Sequence, residues 1–300
     1  MLKSLMKRAL AAIGLLAVTA APAPALARTT TAAKPALWQV SDKDTTVYLF
    51  GTIHLLPPNS SWRTKKLDDA VGRSQTLVLE TLIDTSNPQQ LAALMASMGF
   101  SNGLPPIAER VDPARRPALD AAIAKSRIPR AFFDRIETWA AAFTLMGVQF
   151  QSLGLQGEEG VETVLRKSFT AAGKSVDQLE TNREQLAFFD TLPEKAQREL
   201  LEGAIESPQA TKPKFDSMLK AWLTGDVSAI GRTFNNDLQN SPELKAALLT
   251  RRNWNWSRWI EQRMARPGTL MVAVGAGNLA GEVSLQRYLQ SRGYRVKRIQ

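Results

Sequence analysis

Four short strand-like runs, each followed at its carboxyl end by a polar residue, constrain this chain more than any other feature. They are "TTVYLF" at 45–50, "TLVL" at 76–79, "SVDQL" at 175–179 and "TLMVAV" at 269–274. Short apolar runs of this kind suit strands covered on both faces, where helices leave no side for an alternating polar residue. "LWQV" at 37–40 is joined to the first run by the turn-forming "SDKD", a hairpin signal, and "YRVKRI" at 294–299 reads as a last strand. Strands separated by helical stretches predict an α/β fold, with a central, largely parallel or mixed sheet and flanking helices.

Between the second and fourth runs the pattern is helical. Asn87 in "NPQQ" and Asp112 in "DPAR" each precede a proline placed at a first helical position. A mostly helical middle insertion is expected over roughly 85–265, interrupted by the strand near 175–180. Further helices are expected at about 62–71 and 282–291.

The amino terminus has the layout of an export signal: Lys3, Lys7 and Arg8, an apolar run at 9–18, then a small-residue site at 25–27. Residues 1–27 are therefore read as a signal peptide, 28–36 as a flexible leader and 37–300 as one domain of an exported, periplasmic or secreted protein. No stretch beyond the signal approaches the ~20 apolar residues of a membrane-spanning helix. The chain has no cysteine, which excludes disulfides, thiolate metal sites and cysteine nucleophiles. Without the signal's three basic residues the formal charge falls from +10 to +7. Lys and Arg are scattered, so a solvated basic surface is expected and no nucleic-acid partner.

In open α/β sheets the functional crevice lies beyond the carboxyl ends of the strands. The first run continues into Gly51, Thr52, Ile53 and His54, the only histidine in the chain. The others end in Glu80, in Glu180, and in Gly275, Ala276, Gly277 and Asn278. If the four strands are parallel neighbours, His54, Glu80, Glu180 and Asn278 share one pocket. Gly51 and Gly275 would let the backbone turn at the strand exits, and Gly277 would permit close approach to a ligand. "GAGNLAG" lies too near the carboxyl terminus to begin a dinucleotide-binding unit. In "RRNWNWSRW", Trp256, Trp259 and Ile260 have the spacing of a helical core face, which leaves Arg252 and Asn253 as candidate pocket residues.

"LWQV…VYLFGTIHLLP", "LVLET", "GVETVLRKSFTAAGKSVDQLETNREQ", "RRNWNW" and "VAVGAGNLAGEVSLQRYLQSRGYRV" resemble, in order and spacing, the TraB/PrgY/GumN family, which includes the Tiki metalloproteases. The resemblance implies a fold like that of erythromycin esterases and haem-uptake ChaN proteins, and an active site of two G-x-x-H motifs and an acid. By position, the first motif is Gly51 to His54, the acid is Glu80, Glu180 and Gln185 match "LET…Q", and Arg252 and Asn253 match "RN". Gly275 to Asn278 occupies the second motif, with asparagine in place of histidine. Glu162 stands where the family has aspartate.

Three schemes follow. In metal-assisted hydrolysis of a peptide or amide, His54, Glu80 and Glu180 would ligate manganese, cobalt or zinc, although Asn278 offers only a neutral oxygen. In metal-free hydrolysis, His54 would act as general base, oriented by Glu80 or Glu180, with Arg252 or Asn278 stabilising the oxyanion. Gly51, Gln185, Asn253, Gly275 and Gly277 are the candidate substrate-binding residues, and in a non-catalytic member the pocket would hold a peptide, a saccharide or a haem-like ligand, with His54 as a ligand or a structural hydrogen-bonder.

Overall fold

The four runs form neighbouring strands of one sheet. The computed structural model describes residues 33–83, 87–101, 103–238 and 241–300. The expected export signal and residues 28–32 of the leader lie outside them. In chain order the principal elements are β1 (Leu37–Ser41), β2 (Thr45–Thr52), α1 (Lys65–Arg73), β3 (Thr76–Leu79), α2 (Pro88–Gly99), α3 (Arg116–Ser126), α4 (Thr138–Ser152) and α5 (Val161–Ala171). They continue with β4 (Ser175–Gln178), α6 (Asn182–Asp190), α7 (Glu194–Ala204), α8 (Pro208–Thr224), α9 (Val227–Leu238), α10 (Arg251–Met264), β5 (Gly268–Gly275), α11 (Leu285–Ser291) and β6 (Val296–Arg298).

The described chain divides into two compact units. One comprises residues up to Leu82 with Glu159–Glu180 and Phe215–Gln300, and contains the whole sheet. Its strand order is β4-β3-β5-β2-β1-β6. The four strands β4, β3, β5 and β2 run parallel, β1 is antiparallel to β2, and β6 is antiparallel to β1. The sheet is thus mixed, and β5, late in the chain, lies between β2 and β3.

Both faces of this sheet are covered, as the unbroken apolar runs require. One face presents Tyr48, Phe50, Leu77, Leu79, Met271 and Ala273 to Leu67 of α1, Leu165 and Phe169 of α5, and Trp222 of α8. The other presents Val47, Leu49, Val78, Leu270, Val272 and Val274 to Trp256, Ile260 and Met264 of α10 and Leu285 and Leu289 of α11. Each such side chain contributes about 1.5–3 kcal/mol when fully buried. Below the exit of β2, Phe50, Trp62 and Trp222 pack with centroids 6.0–6.4 Å apart, and Trp222 Nε1 donates to the Gly51 carbonyl at 2.8 Å. Trp62 belongs to this cluster, and the helix expected from 62 starts at Lys65, where the Thr64 hydroxyl caps the Leu67 N–H. The helix expected from 282 starts at Leu285, after Gly281 takes a left-handed φ of 77°.

The second unit, Ile83–Glu158 and Thr181–Lys214, is helical. Its core packs Trp139, Ala141 and Leu145 of α4 with Leu119 and Ile123 of α3, Leu186 of α6 and Leu201 and Ala204 of α7. Thr181 and Glu184 form a capping box at the start of α6. Helices α9 and α10 and the end of α8 belong with the sheet.

Candidate functional site

Because β2, β5, β3 and β4 are parallel neighbours, their carboxyl ends meet along one edge. The register sets Thr52 opposite Gly275, and Leu79 opposite both Ala273 and Gln178. His54, Glu80, Glu180 and Asn278 therefore arrive at one edge, as the strand-end argument expected if the strands were neighbours.

Behind this edge lies a buried charge cluster. Arg252, in the first turn of α10, extends Nη2 to Glu80 Oε2 at 2.6 Å. Its Nε donates to Glu180 Oε1 at 2.9 Å, and Nη2 reaches the same oxygen. Trp256, one turn on, packs its ring under the guanidinium at 4.5 Å and donates Nε1 to Glu180 Oε2 at 3.3 Å. All three charged side chains are at most 8% exposed. Burial alone would discourage ionisation of Glu80. Arg252, His54 and the Gly275 N–H, which donates to Glu80 Oε1 at 2.6 Å, outweigh it and hold the carboxyl below its ordinary 4.5. At Glu180 burial prevails, helped by the Glu80 charge, and the carboxyl is pushed up. Burial also acts against the Arg252 charge, but its two carboxylates reverse that effect and keep it protonated.

In front of the cluster stands a second, open pair. His54 Nδ1 lies 2.6 Å from Glu162 Oε1, and the imidazole is 62% exposed whereas Glu162 is 17% exposed. The Thr52 hydroxyl donates to the same carboxylate oxygen. Glu162 is in the first turn of α5, where the helix amino terminus favours a carboxylate. The Val161 N–H, donating to the Ile53 carbonyl at 3.1 Å, ties that turn to the chain beside His54. Chiefly through the Glu162 charge and hydrogen bond, with Glu80 adding to it and Arg252 opposing it, the imidazole pKa rises from 6.5 to about 9. Water around the open ring screens long-range charges, so the contact at Nδ1 matters most.

The third component is an asparagine pair. Asn278, on a 3₁₀ turn at Ala276–Leu279, donates Nδ2 to Leu248 O at 3.2 Å and to Asn253 Oδ1 at 3.0 Å. Asn253 donates its own Nδ2 to Asn278 O at 3.1 Å and Val283 O at 2.7 Å. Leu248 belongs to a π-turn, Ala246–Thr250, that runs directly into α10. With both amide hydrogens held inward, Asn278 does not have the oxyanion-donor role expected of it. Arg252, buried between two carboxylates, is likewise committed.

In the expected metal set of His54, Glu80 and Glu180, both carboxylates are ion-paired to Arg252. A guanidinium already balances both carboxylates, and a cation between them would face Arg252. Among the described residues no cluster of three or more His, Cys, Asp or Glu side chains is placed to hold a metal. Gly51 serves packing: a Cβ there would come 3.1 Å from Ala276 Cα. Gly277 is buried in the 3₁₀ turn, and Gln185 lies on α6 in the helical unit. Thr52 and Glu162 were not among the site candidates, although the family resemblance marked Glu162 as standing where aspartate is expected. Glu162 meets His54 Nδ1, the place expected of Glu80 or Glu180. A separate cavity of about 420 Å³ lies toward the amino ends of β3, β4 and β5, lined by Thr76, Ser175, Asp177, Trp259 and Arg263 among others, and contains none of these groups.

The chain is 27% identical over 247 residues to the uncharacterized protein YbaP of Escherichia coli (strain K12), covering 81% of this chain and 87% of YbaP. YbaP of Shigella flexneri gives the same figures. No solved structure gives a significant match. The pattern of the TraB/PrgY/gumN family, however, matches residues 36–298, nearly the whole described chain. With its ordered blocks delivering His54, Glu80, Glu180, Arg252 and Asn278 to one edge of the sheet, the chain belongs to the TraB/PrgY/gumN family.

Proposed function

We propose that this protein is an exported hydrolase in which His54, oriented by Glu162, activates water for attack on an ester or amide carbonyl. The observation that carries the reading is the His54–Glu162 contact of 2.6 Å on a ring that remains open to solvent. Nδ1–H donates to Glu162, which fixes the tautomer and leaves Nε2 to accept a proton. The imidazolium that results is stabilised by the same carboxylate, and such a base contributes about 10²–10⁴ in rate. The Tiki-like metalloprotease chemistry implied by the family resemblance is less well supported, because Arg252 neutralises the carboxylates that a metal would need. Export is supported by the pattern at 1–27.

Hydrolysis of p-nitrophenyl butyrate and N-acetyl-alanine p-nitroanilide, followed from neutral pH past the His54 pKa, tests the reading. Wild-type kcat/KM is expected to rise with pH through about 9. Glu162→Gln should move that limb down toward 6.5, and His54→Ala should lower the rate by at least about 10²-fold. No turnover of either compound, or a His54→Ala variant as fast as wild type, overturns it.

A further inference from the structure

We infer that Asn278 positions the attacking water as a hydrogen-bond acceptor, with its carboxamide locked in one orientation by Asn253 and the π-turn. This rests on the hydrolytic reading above and adds the place where the water binds. The lock follows from donor and acceptor counting. Both partners of Asn253 Nδ2 are backbone carbonyls, which can only accept, so that end of the side chain must be nitrogen and the other end oxygen. Asn278 then faces two acceptors, Asn253 Oδ1 and Leu248 O, and must present its own nitrogen to them. Its Oδ1 is left on the opposite side, toward Gly275.

Gly275 is where three groups converge. A Cβ at this position would stand 3.2 Å from Glu80 Oε1, 3.3 Å from Asn278 Oδ1 and 4.0 Å from His54 Nε2. The bare glycine thus lets Glu80 Oε1, Asn278 Oδ1 and His54 Nε2 face one point, and a donor approaching from the open side of His54 would find two oxygen acceptors and the ring nitrogen together. Water fits: one hydrogen points to Nε2, the other to Asn278 Oδ1 or Glu80 Oε1, and a lone pair faces outward. In the step, the water O–H bond to Nε2 breaks and its proton moves to the ring. The water oxygen bonds to the carbonyl carbon, and the carbonyl π pair moves onto the carbonyl oxygen. Asparagine thus supplies an oxygen where the family pattern places histidine, and the site needs no metal to hold its nucleophile.

The test compares Asn278→Leu and Asn253→Leu with wild type on the two chromogenic substrates, with melting followed by circular dichroism. Asn278→Leu should lower kcat about 10²-fold with KM nearly unchanged and the alkaline pH limb unmoved, since His54 and Glu162 are intact. Asn253→Leu, which releases the Asn278 amide without touching the water, should give the same pattern more weakly. Retained kcat in Asn278→Leu overturns the inference, as does a joint loss in KM, kcat and melting temperature in both variants. An arm independent of activity measures hydrogen exchange of the Asn278 and Asn253 side-chain amides by ¹⁵N NMR. Protection in wild type supports the lock and fast exchange overturns it. Protected amides in a protein that turns over neither substrate overturn the hydrolytic reading, and the water role with it.

Discussion

Arg110 in the helical unit and Arg252 in the sheet unit are both withdrawn from water, yet their surroundings differ in kind. Arg110 donates Nε to Pro105 O at 2.7 Å, Nη1 to Ile136 O at 2.6 Å and Nη2 to Asp134 O at 3.1 Å. Its partners are neutral carbonyls, and burial lowers its pKa. Arg252 has two carboxylates, and its pKa rises. The first arrangement staples a loop, since one guanidinium satisfies carbonyls from segments some 30 residues apart in sequence. The second stores charge beside a histidine, where it tunes Glu80 and sets the field around His54. A buried arginine among carbonyls is therefore a folding device, whereas one among carboxylates also has an electrostatic role.

The sharpest way to break this contrast is Arg252→Met. It strands two buried carboxylates and should cost about 3–5 kcal/mol in urea unfolding. Adding Glu80→Gln and Glu180→Gln should recover most of that loss, and no recovery would mean that Arg252 acts through packing alone. Arg110→Met leaves neutral carbonyls and should cost less, about 2–3 kcal/mol. Its effect should appear as faster amide exchange over 105–136, with the sheet strands protected as before. A larger loss than for Arg252→Met would reverse the ranking.

The smallest expected effect is a pH dependence. Because the His54 pKa is raised in the fold, the His54–Glu162 pair contributes stability that is complete below 6.5 and is lost as pH rises through about 9. Glu80 is depressed, so its contribution is present above 4.5 and is lost as pH falls through its lowered folded value. Melting temperatures across the alkaline range should decline in wild type and stay flatter in Glu162→Gln. Equal slopes would mean that the pair contributes nothing to folding.

Much of the site was legible because its residues follow strands. Apolar runs with abrupt polar ends identified His54, Glu80, Glu180 and Asn278 without any contact information, and parallel pairing brought them together. Strand order was not legible, since nothing in "TLMVAV" says that it inserts between β2 and β3. Glu162 was marked by the family resemblance but not as a partner of His54, for a related reason. It reaches His54 from a helix start, where an acid is ordinary, and its contacts with His54 and Thr52, with the Val161–Ile53 hydrogen bond beside them, exist only in the fold. The direction of the Asn278 carboxamide was also beyond sequence, because it depends on which end Asn253 turns toward two carbonyls.

The π-turn at Ala246–Thr250 has a consequence for insertions and deletions. Wider than an α turn, it fits one more residue into the same advance, and it sits immediately upstream of Arg252. Removing one residue from it would let the segment relax to an α turn and leave α10 in nearly the same phase, whereas removing one residue from α10 between Arg252 and Trp256 would turn the two apart by about 100°. Arg252, Trp256 and Ile260 would keep their places against the sheet as the π-turn closes. The segment is therefore a slack turn ahead of α10, able to give up one residue without turning Arg252 away from Glu80 and Glu180.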